Sequence, residues 1–234
     1  MKELHDWIDF DMLTVPVMTD KINNGEYFAF ARYGDGEFDA MVGTPTEWQH
    51  GENSNCDGHV YFPEMGSALK RSLLDWRDSK EDNYYAGIHW GDRIGKQTYD
   101  WLKQMDFDEQ RKFADNSVFH IALKEKRLHD FYEALKEKEV VIVSNRHVRN
   151  QTILNPVEYI NCPETNSWND REKIIKALLK VGVKNRVVLF CSGPPTGVFI
   201  NDIWQIEKET TLIDYGSNFD PNVGINSRNF HKKL

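Results

Sequence analysis

Two carboxylates separated by one glycine give this sequence its clearest chemical signal. Asp35 and Glu37 follow an apolar, strand-like run, and Gly34 and Gly36 flank the aspartate. Glycine allows a tight turn at the end of a strand, and on such a turn both carboxylates are predicted to converge on one cation. Mg²⁺ and Mn²⁺ favour oxygen ligands and keep positions for water and substrate phosphates. The alternative is a surface turn whose charges are simply solvated.

Arg32 stands at the predicted end of the strand, just before the acidic pair. Its planar guanidinium is suited to hold a phosphate through two parallel hydrogen bonds. The segment therefore combines groups for a divalent cation with a group for the anion that such a cation would accompany.

A second loop far along the chain has the composition of an anion site. Ser192, Gly193 and Thr196 lie between an apolar strand and a helical run. Backbone N–H groups at such a turn point at bound anions, the two hydroxyls add donors, and Thr196 is a candidate helix N-cap. No Gly-Lys-Ser/Thr follows, so this is not a Walker A loop, and Asp39 holds the place of the third glycine of a dinucleotide fingerprint. Ordinary turn chemistry is the alternative.

Candidate proton acceptors follow another predicted strand. His89 and Asp92 come directly after the apolar run 84–88, so we expect their side chains at the same edge of the sheet. Asp57 and His59, in the polar stretch before the next helix, are further candidates. The alternative for each histidine is a surface or capping role.

The elements that must position these groups alternate regularly along the chain. Strands are predicted at 28–31, 84–88, 118–123, 140–143, 157–160, 186–190 and 211–214, and helices at 19–24, 38–42, 63–76, 94–105, 128–138, 171–181 and 198–206. Near-continuous apolar strands alternating with helices predict a mostly parallel sheet flanked by helices on both faces. We therefore predict a Rossmann-like α/β sandwich, one domain over residues 1–234, with ligands beyond the carboxyl ends of the strands.

Composition narrows the class of protein further. Of the 234 residues, 40% are hydrophobic, and the formal net charge is -8. Such a charge does not recruit nucleic acid or an anionic membrane by bulk electrostatics. Three well-separated cysteines, with no C-x-x-C pair, favour a reducing compartment. No run of membrane-spanning length occurs, so we expect a soluble, cytoplasmic protein.

Three short segments carry a resemblance to a known family. Arg32-Tyr-Gly-Asp-Gly-Glu37, the strand–Ser192-Gly-Pro–helix loop and Ile213-Asp-Tyr-Gly216 together resemble the GT-D fold glycosyltransferases, bacterial enzymes once catalogued as a domain of unknown function. The resemblance implies a GT-D type fold and transfer of a sugar from a nucleotide diphosphate donor, expected to be a UDP sugar. It implies Mn²⁺ or Mg²⁺ at Asp35 and Glu37. Donor binding is assigned to Arg32, Tyr33, Gly34, Gly36, Ser192, Gly193 and Thr196.

The chemistry of that reaction agrees with the residues. The departing diphosphate must be neutralised as the glycosidic bond breaks, which a cation held by Asp35 and Glu37 would do, with Arg32 adding positive charge. His89 or Asp92 would accept a proton from the acceptor hydroxyl if the reaction inverts. Trp90 or Tyr33 would stack on uracil or a sugar face.

The acceptor and two other classes of function stay open. A hydroxyl of a glycan is the expected acceptor, and a modified DNA base is the less favoured one because the chain is acidic. The same carboxylates would serve a metal-dependent phosphohydrolase or nucleotidyl enzyme. A non-catalytic nucleotide-binding module is the third possibility.

Overall fold

The computed structural model describes residues 4–42, 59–89, 92–107 and 111–225, and of residues 4, 5 and 92–97 only the backbone. Seven strands form one sheet: β1 Ala29–Tyr33, β2 Tyr84–Ile88, β3 Ala114–Asp115, β4 Val140–Ser144, β5 Glu158–Asn161, β6 Val187–Cys191 and β7 Thr211–Asp214. Their order is β3-β2-β1-β7-β6-β4-β5, and every pair of neighbours is parallel. The predicted α/β sandwich with a parallel sheet is confirmed.

Helices cover both faces of this sheet. They are α1 Val15–Asn23, α2 Asp35–Val42, α3 Pro63–Ser79, α4 Asp92–Gln104, α5 Val118–Lys124, α6 His129–Lys136, α7 Arg171–Val181 and α8 Thr196–Trp204. One face packs against α2, α3, α4, α7 and α8, and the other against α1, α5 and α6. Among the described residues, no helix has the length and apolarity needed to cross a bilayer.

Side chains alternate between the two faces along each central strand. In β1, Ala29 and Ala31 face the α3 and α8 layer, whereas Phe30 faces α1 and α5. All three are fully buried. A strand covered on both faces needs apolar residues at every position, which is why these strands read as unbroken apolar runs.

The chain leaves the carboxyl ends of β1 and β7 in opposite directions. After β1 it enters α2, whose Phe38 belongs to one core layer, and after β7 it turns so that Phe219 joins the other. Because these strands are neighbours and their connections diverge, a ligand crevice is expected between their carboxyl ends. This is the position at which open α/β sheets bind ligands.

The strand predicted at 118–123 is wrong, because this segment forms α5. Val118, Phe119 and Ala122 are buried while Ile121 is 40% exposed, which is the spacing of a helix face. A strand covered on both faces, such as β4, would instead be buried at every residue. Besides β1, the neighbour of β2 in the sheet is the two-residue β3, which lies just upstream of α5 in the sequence.

The first helix begins earlier than predicted. The helix predicted at 19–24 begins at Val15, and Pro16 lies in its first turn. Thr14 caps this helix by accepting the Val17 N–H at 3.4 Å. Proline suits the first turn because its missing N–H would have no helical partner there.

Helices α2 and α3 approach each other closely at one glycine. A Cβ atom on Gly66 would lie 2.2 Å from the carbonyl oxygen of Ala40. Only glycine therefore permits this packing, which presses α2 against the longer helix.

At the amino end of the sheet, charged groups meet oppositely charged or polar partners. Arg111 donates to the carbonyl oxygens of Arg77 and Glu81 at 2.5 and 3.4 Å. The Glu81 carboxylate accepts from Trp204 Nε1 at 2.5 Å and from Lys208 Nζ at 2.8 Å. The Arg111 bonds join the end of α3 and the turn after it to the segment before β3, and the Glu81 bonds join that turn to the end of α8 and to the segment that follows.

Candidate active site

A buried ion pair joins the carboxyl ends of β1 and β7. Arg32 Nη2 donates to Asp214 Oδ1 at 2.9 Å, and Nη1 donates to the Asn116 carbonyl at 3.3 Å. The Arg32 and Asp214 side chains are 13% and 9% exposed. Gly216, with φ of +61°, lies against the guanidinium, where a Cβ would come within 2.1 Å of Nη2. Arg32 thus links two strands in a packed environment, and its guanidinium is not presented openly to a phosphate.

The predicted tight turn at Gly34–Gly36 is wrong, since α2 already begins at Asp35. Neither glycine has a positive φ. The Gly34 N–H donates to Glu37 Oε2 at 2.8 Å, and the Gly36 N–H donates to Asp35 Oδ1 at 3.0 Å. Carboxylates in the first turn pair with N–H groups that have no partner within the helix, and this stabilises the helix start.

On a helix, residues two apart do not face each other. Asp35 is exposed, whereas Glu37 is half-buried. Burial raises the pKa of Glu37 to about 7, and the Asp214 carboxylate adds to this effect more than Asp35 does. Burial also raises the pKa of Asp214, although Arg32 opposes the rise. The negative charge of Asp214, at the end of β7, therefore affects Glu37 more than the charge of its sequence neighbour Asp35 does.

The proton acceptors predicted after β2 are only partly described. The His89 N–H donates to the Tyr33 carbonyl at 3.2 Å, which holds this residue beside the end of β1. His89 is half-buried. Asp92 begins α4, but its side chain, like Asp57 and Trp90 as a whole, lies outside the described structure.

Tyr33 belongs to the core. It is fully buried, and its hydroxyl lies 2.9 Å from Ser72 Oγ. Its ring packs on Gly197 of α8, where a Cβ would be 3.2 Å away. No ring face is exposed to a base or a sugar, so the stacking role suggested by the sequence gives way to a packing role.

The loop after β6 uses its hydroxyls internally. Thr196 Oγ1 donates to the Gly193 carbonyl at 2.7 Å, and Ser192 Oγ lies 2.7 Å from Thr196 Oγ1. Both side chains are buried. Pro195 occupies the N-cap position, so the prediction that Thr196 caps the helix is wrong. The loop lies beside β7 at the same edge as the ion pair.

Sequence reasoning gave no role to Asp214, Asn116 or Gly216. Asp214 carried a usable signal, because an aspartate that ends an apolar strand lies at the ligand-binding edge. Asn116 acts through its backbone carbonyl, and Gly216 through its lack of a side chain. Contacts of these two kinds depend on packing in the folded protein, so they cannot be recognised from residue type.

The donor set suits a hard cation. Among the described residues, no group of three His, Cys, Asp or Glu side chains is arranged to hold a metal. Mg²⁺, however, is usually bound by one or two carboxylates together with waters and substrate phosphates. Asp35 and Glu37 offer only oxygen, and their surroundings carry surplus negative charge. The chemistry of these donors therefore fits Mg²⁺ or Mn²⁺, although their spacing on α2 does not by itself bring both carboxylates to one ion.

Known structures share this architecture. No protein-family model and no curated protein matches the sequence. A solved structure of the domain of unknown function 1792, described as having a distinct glycosyltransferase fold, aligns with a TM-score of 0.64 and 16% identity, over 92% of this chain and 80% of that one. The chain has this glycosyltransferase fold.

A second structure supports the same assignment. It is described as a new glycosyltransferase of domain 1792 from Streptococcus sanguinis, with a TM-score of 0.61 and 14% identity over 91% of this chain and 83% of that one. At such identity, the likeness establishes the glycosyltransferase fold alone. The resemblance predicted from the sequence motifs is confirmed at that level.

Proposed function

We propose that this protein is a metal-dependent glycosyltransferase that moves a sugar from a nucleoside diphosphate sugar to a hydroxyl acceptor. The observation that carries the proposal is the carboxylate cluster at the ends of β1 and β7, where burial raises the pKa of the Glu37 carboxyl and Asp214, paired with Arg32, and Asp35 both raise it further. The fold, shared with structures described as glycosyltransferases, makes the crevice at these strand ends the expected donor site.

The charge of the crevice supports a requirement for metal. A diphosphate would meet several carboxylates there, and the Arg32 guanidinium is already paired with Asp214. Asp35 and Glu37 would hold Mn²⁺ or Mg²⁺, which supplies Lewis-acid neutralisation of the leaving diphosphate when bound. UDP is the expected nucleotide, on the motif resemblance alone.

The protein's own residues orient these groups. The Gly34 N–H fixes one oxygen of Glu37, and Arg32 holds Asp214 at the adjoining strand end. We assign acceptance of the acceptor's hydroxyl proton to His89 or Asp92, which follow β2 at the same edge. A glycan hydroxyl is the proposed acceptor, because an acidic protein disfavours DNA.

Calorimetric titration with UDP, with and without Mn²⁺, tests the donor side. We expect binding to the wild-type protein only with Mn²⁺, and its loss in Asp35→Ala. Glu133→Ala, which removes an exposed carboxylate on α6, is the matched control and should bind normally. Metal-independent binding, or equal binding by Asp35→Ala, would contradict the proposal.

Turnover then separates the classes of reaction. With a UDP sugar and a set of glycan acceptors, we expect UDP release that depends on the acceptor. Cleavage of the phosphoanhydride by water, which gives UMP and a sugar 1-phosphate instead of UDP, indicates a phosphohydrolase or nucleotidyl enzyme. An intact donor after long incubation with every acceptor indicates a nucleotide-binding module.

A further inference from the structure

Asn116 follows β3 at the carboxyl edge of the sheet, near the end of β1. A Cβ atom added to Gly34 would lie 2.9 Å from Glu37 Oε2 and 3.5 Å from Asn116 Nδ2. Because glycine has no side chain, these two atoms border the same space next to Gly34. One of them is a hydrogen-bond donor and the other is an acceptor.

The backbone of Asn116 is fixed by three contacts. Its N–H donates to the Ile88 carbonyl at 3.4 Å, and its own carbonyl accepts Arg32 Nη1 at 3.3 Å. A Cβ on Gly87 would come within 3.2 Å of the Asn116 Cα, so this segment packs closely on β2. The side chain therefore extends from an ordered position, and a ligand would not have to order the backbone that carries it.

Only one end of the Asn116 side chain is engaged by the protein. Oδ1 accepts the Ser117 hydroxyl at 3.1 Å, whereas Nδ2 makes no hydrogen bond within the described parts of the chain. The orientation of the amide agrees with its surroundings, because Nδ2 carries partial positive charge and lies on the side of the Glu37 carboxylate. The residue is half-buried. Nδ2 is thus a donor left for water or a ligand.

A donor and an acceptor that border one space match a hydroxyl group. A hydroxyl accepts from Nδ2 and donates to Oε2 at the same time, which a phosphate oxygen cannot do. Glu37 Oε2 already accepts the Gly34 N–H, and a carboxylate oxygen has a second lone pair. In a nucleotide sugar, the hydroxyls of the transferred sugar begin one carbon from the diphosphate linkage, whereas those of the ribose lie further away, beyond C5′ and C4′.

We propose that Asn116 binds the sugar of the nucleotide donor, with Nδ2 donating to a sugar hydroxyl that in turn donates to Glu37 Oε2. The inference rests on the proposed function, because that function places the diphosphate beside Glu37. The role is binding and selection of the sugar, with no bond made or broken. The competing explanation is that Asn116 only shapes the loop after β3, through its contact with Ser117.

Calorimetric titrations with Mn²⁺ separate these roles. The probes are UDP, UDP-glucose, UDP-galactose and UDP-N-acetylglucosamine, and the measure is the Kd of the tightest UDP sugar divided by the Kd of UDP. We expect Asn116→Ala to raise this ratio about tenfold, because UDP lacks the sugar. A role limited to the loop, or a contact with the ribose, would change both Kd values together. A ratio within about twofold of the wild-type value would therefore overturn the proposal.

Two aspartate variants serve as a matched pair. Asn116→Asp keeps the shape of the side chain and the acceptor for Ser117 but loses the donor, so the ratio should again rise about tenfold. It is the variant to use if Asn116→Ala does not fold. Asn185→Asp makes the same change of charge at an exposed residue before β6, and keeps the oxygen that accepts the Tyr27 hydroxyl at 2.5 Å. An equal rise in both aspartate variants would contradict a specific contact.

Analogues of the tightest UDP sugar, each with one hydroxyl replaced by hydrogen, identify the group that is bound. One analogue should bind the wild-type protein about tenfold more weakly than its parent, yet bind Asn116→Ala as well as its parent does. Losses in Asn116→Ala that equal those in the wild-type protein for every analogue would show that Asn116 contacts none of these hydroxyls.

The inference and the proposed function fail in different ways. An unchanged ratio in the Asn116 variants, with binding of UDP that needs Mn²⁺ and is lost in Asp35→Ala, overturns the role of Asn116 and leaves the glycosyltransferase proposal standing. No binding of UDP or of any UDP sugar to the wild-type protein, with Mn²⁺ present, overturns both. Thermal unfolding of each variant, within about 2 °C of the wild-type Tm, shows that the fold is retained.

Discussion

The charged groups at the two ends of the sheet differ in how completely they are paired. At the amino end, Arg111 is bonded to carbonyl oxygens, and Glu81 receives both Trp204 and Lys208. At the carboxyl ends of β1 and β7, Arg32 is paired with Asp214, and burial together with the charges of Asp214 and Asp35 raises the pKa of Glu37 to about 7. The first arrangement stabilises the fold. The second leaves surplus charge that a bound cation would offset, which is typical of a functional site.

The largest effect should come from removing Arg32, which links the carboxyl ends of β1 and β7. Arg32→Met leaves Asp214 buried without its ion pair, so we expect the free energy of unfolding to fall by about 3–5 kcal/mol. Urea denaturation measures this change. The double variant Arg32→Met/Asp214→Asn removes the unpaired charge and should recover part of the loss. If Arg32→Met alone is as stable as the wild-type protein, the ion pair does not stabilise the contact between β1 and β7.

A smaller effect, confined to function, is expected at Glu37. Glu37→Gln keeps an oxygen for the Gly34 N–H, so α2 should start as before. It removes the charge that faces the proposed cation, and we expect kcat/KM with a UDP sugar to fall about 100-fold. Glu133→Gln on the exposed face of α6 is the control. Equal activity in both variants would remove Glu37 from the site.

The pH dependence of stability offers a third test. The folded-state pKa of Glu37 is about 7, above its ordinary 4.5, so folding takes up a proton between these values. Stability is therefore greatest below the ordinary pKa and is lost as pH rises towards 7. Urea midpoints measured without metal should fall more steeply with pH in the wild-type protein than in Glu37→Gln. Parallel curves would show that Glu37 titrates normally.

The smallest effect is expected at the amino end. Glu81→Gln keeps an acceptor for Trp204 Nε1 but loses the ion pair with Lys208, whose side chain is 43% exposed. Exposed pairs contribute little, so we expect a loss of about 0.5 kcal/mol in the free energy of unfolding and no change in activity. Lys184→Met, at an exposed pair with Glu209, is the matched control. Reduced turnover would show that the two ends are functionally linked.

How far the sequence predicts this molecule depends on the range of the interaction involved. β2, β7 and α7 match their predicted ranges. Burial on one or both faces of an element gives its apolar residues a regular spacing that can be recognised locally. The segment that forms α5 does not match its prediction, because a short apolar run fits the spacing of a helix and of a strand equally well. Asp35 and Glu37 were found by type and spacing. Their relation to Asp214 was not, because Arg32 and Asp214 are 182 residues apart and meet only through the sheet.

The glycine contact between α2 and α3 has a mechanical consequence. With no room for a methyl group between Gly66 and Ala40, the helix that carries Asp35 and Glu37 cannot slide independently of α3. The 17 residues of α3 extend about 25 Å, and their last turn reaches the amino end of the sheet, where Arg77 meets Arg111. Any displacement of α2 along its axis would therefore have to move α3 as well, and with it the hydrogen bond between Arg77 and Arg111 at the amino end.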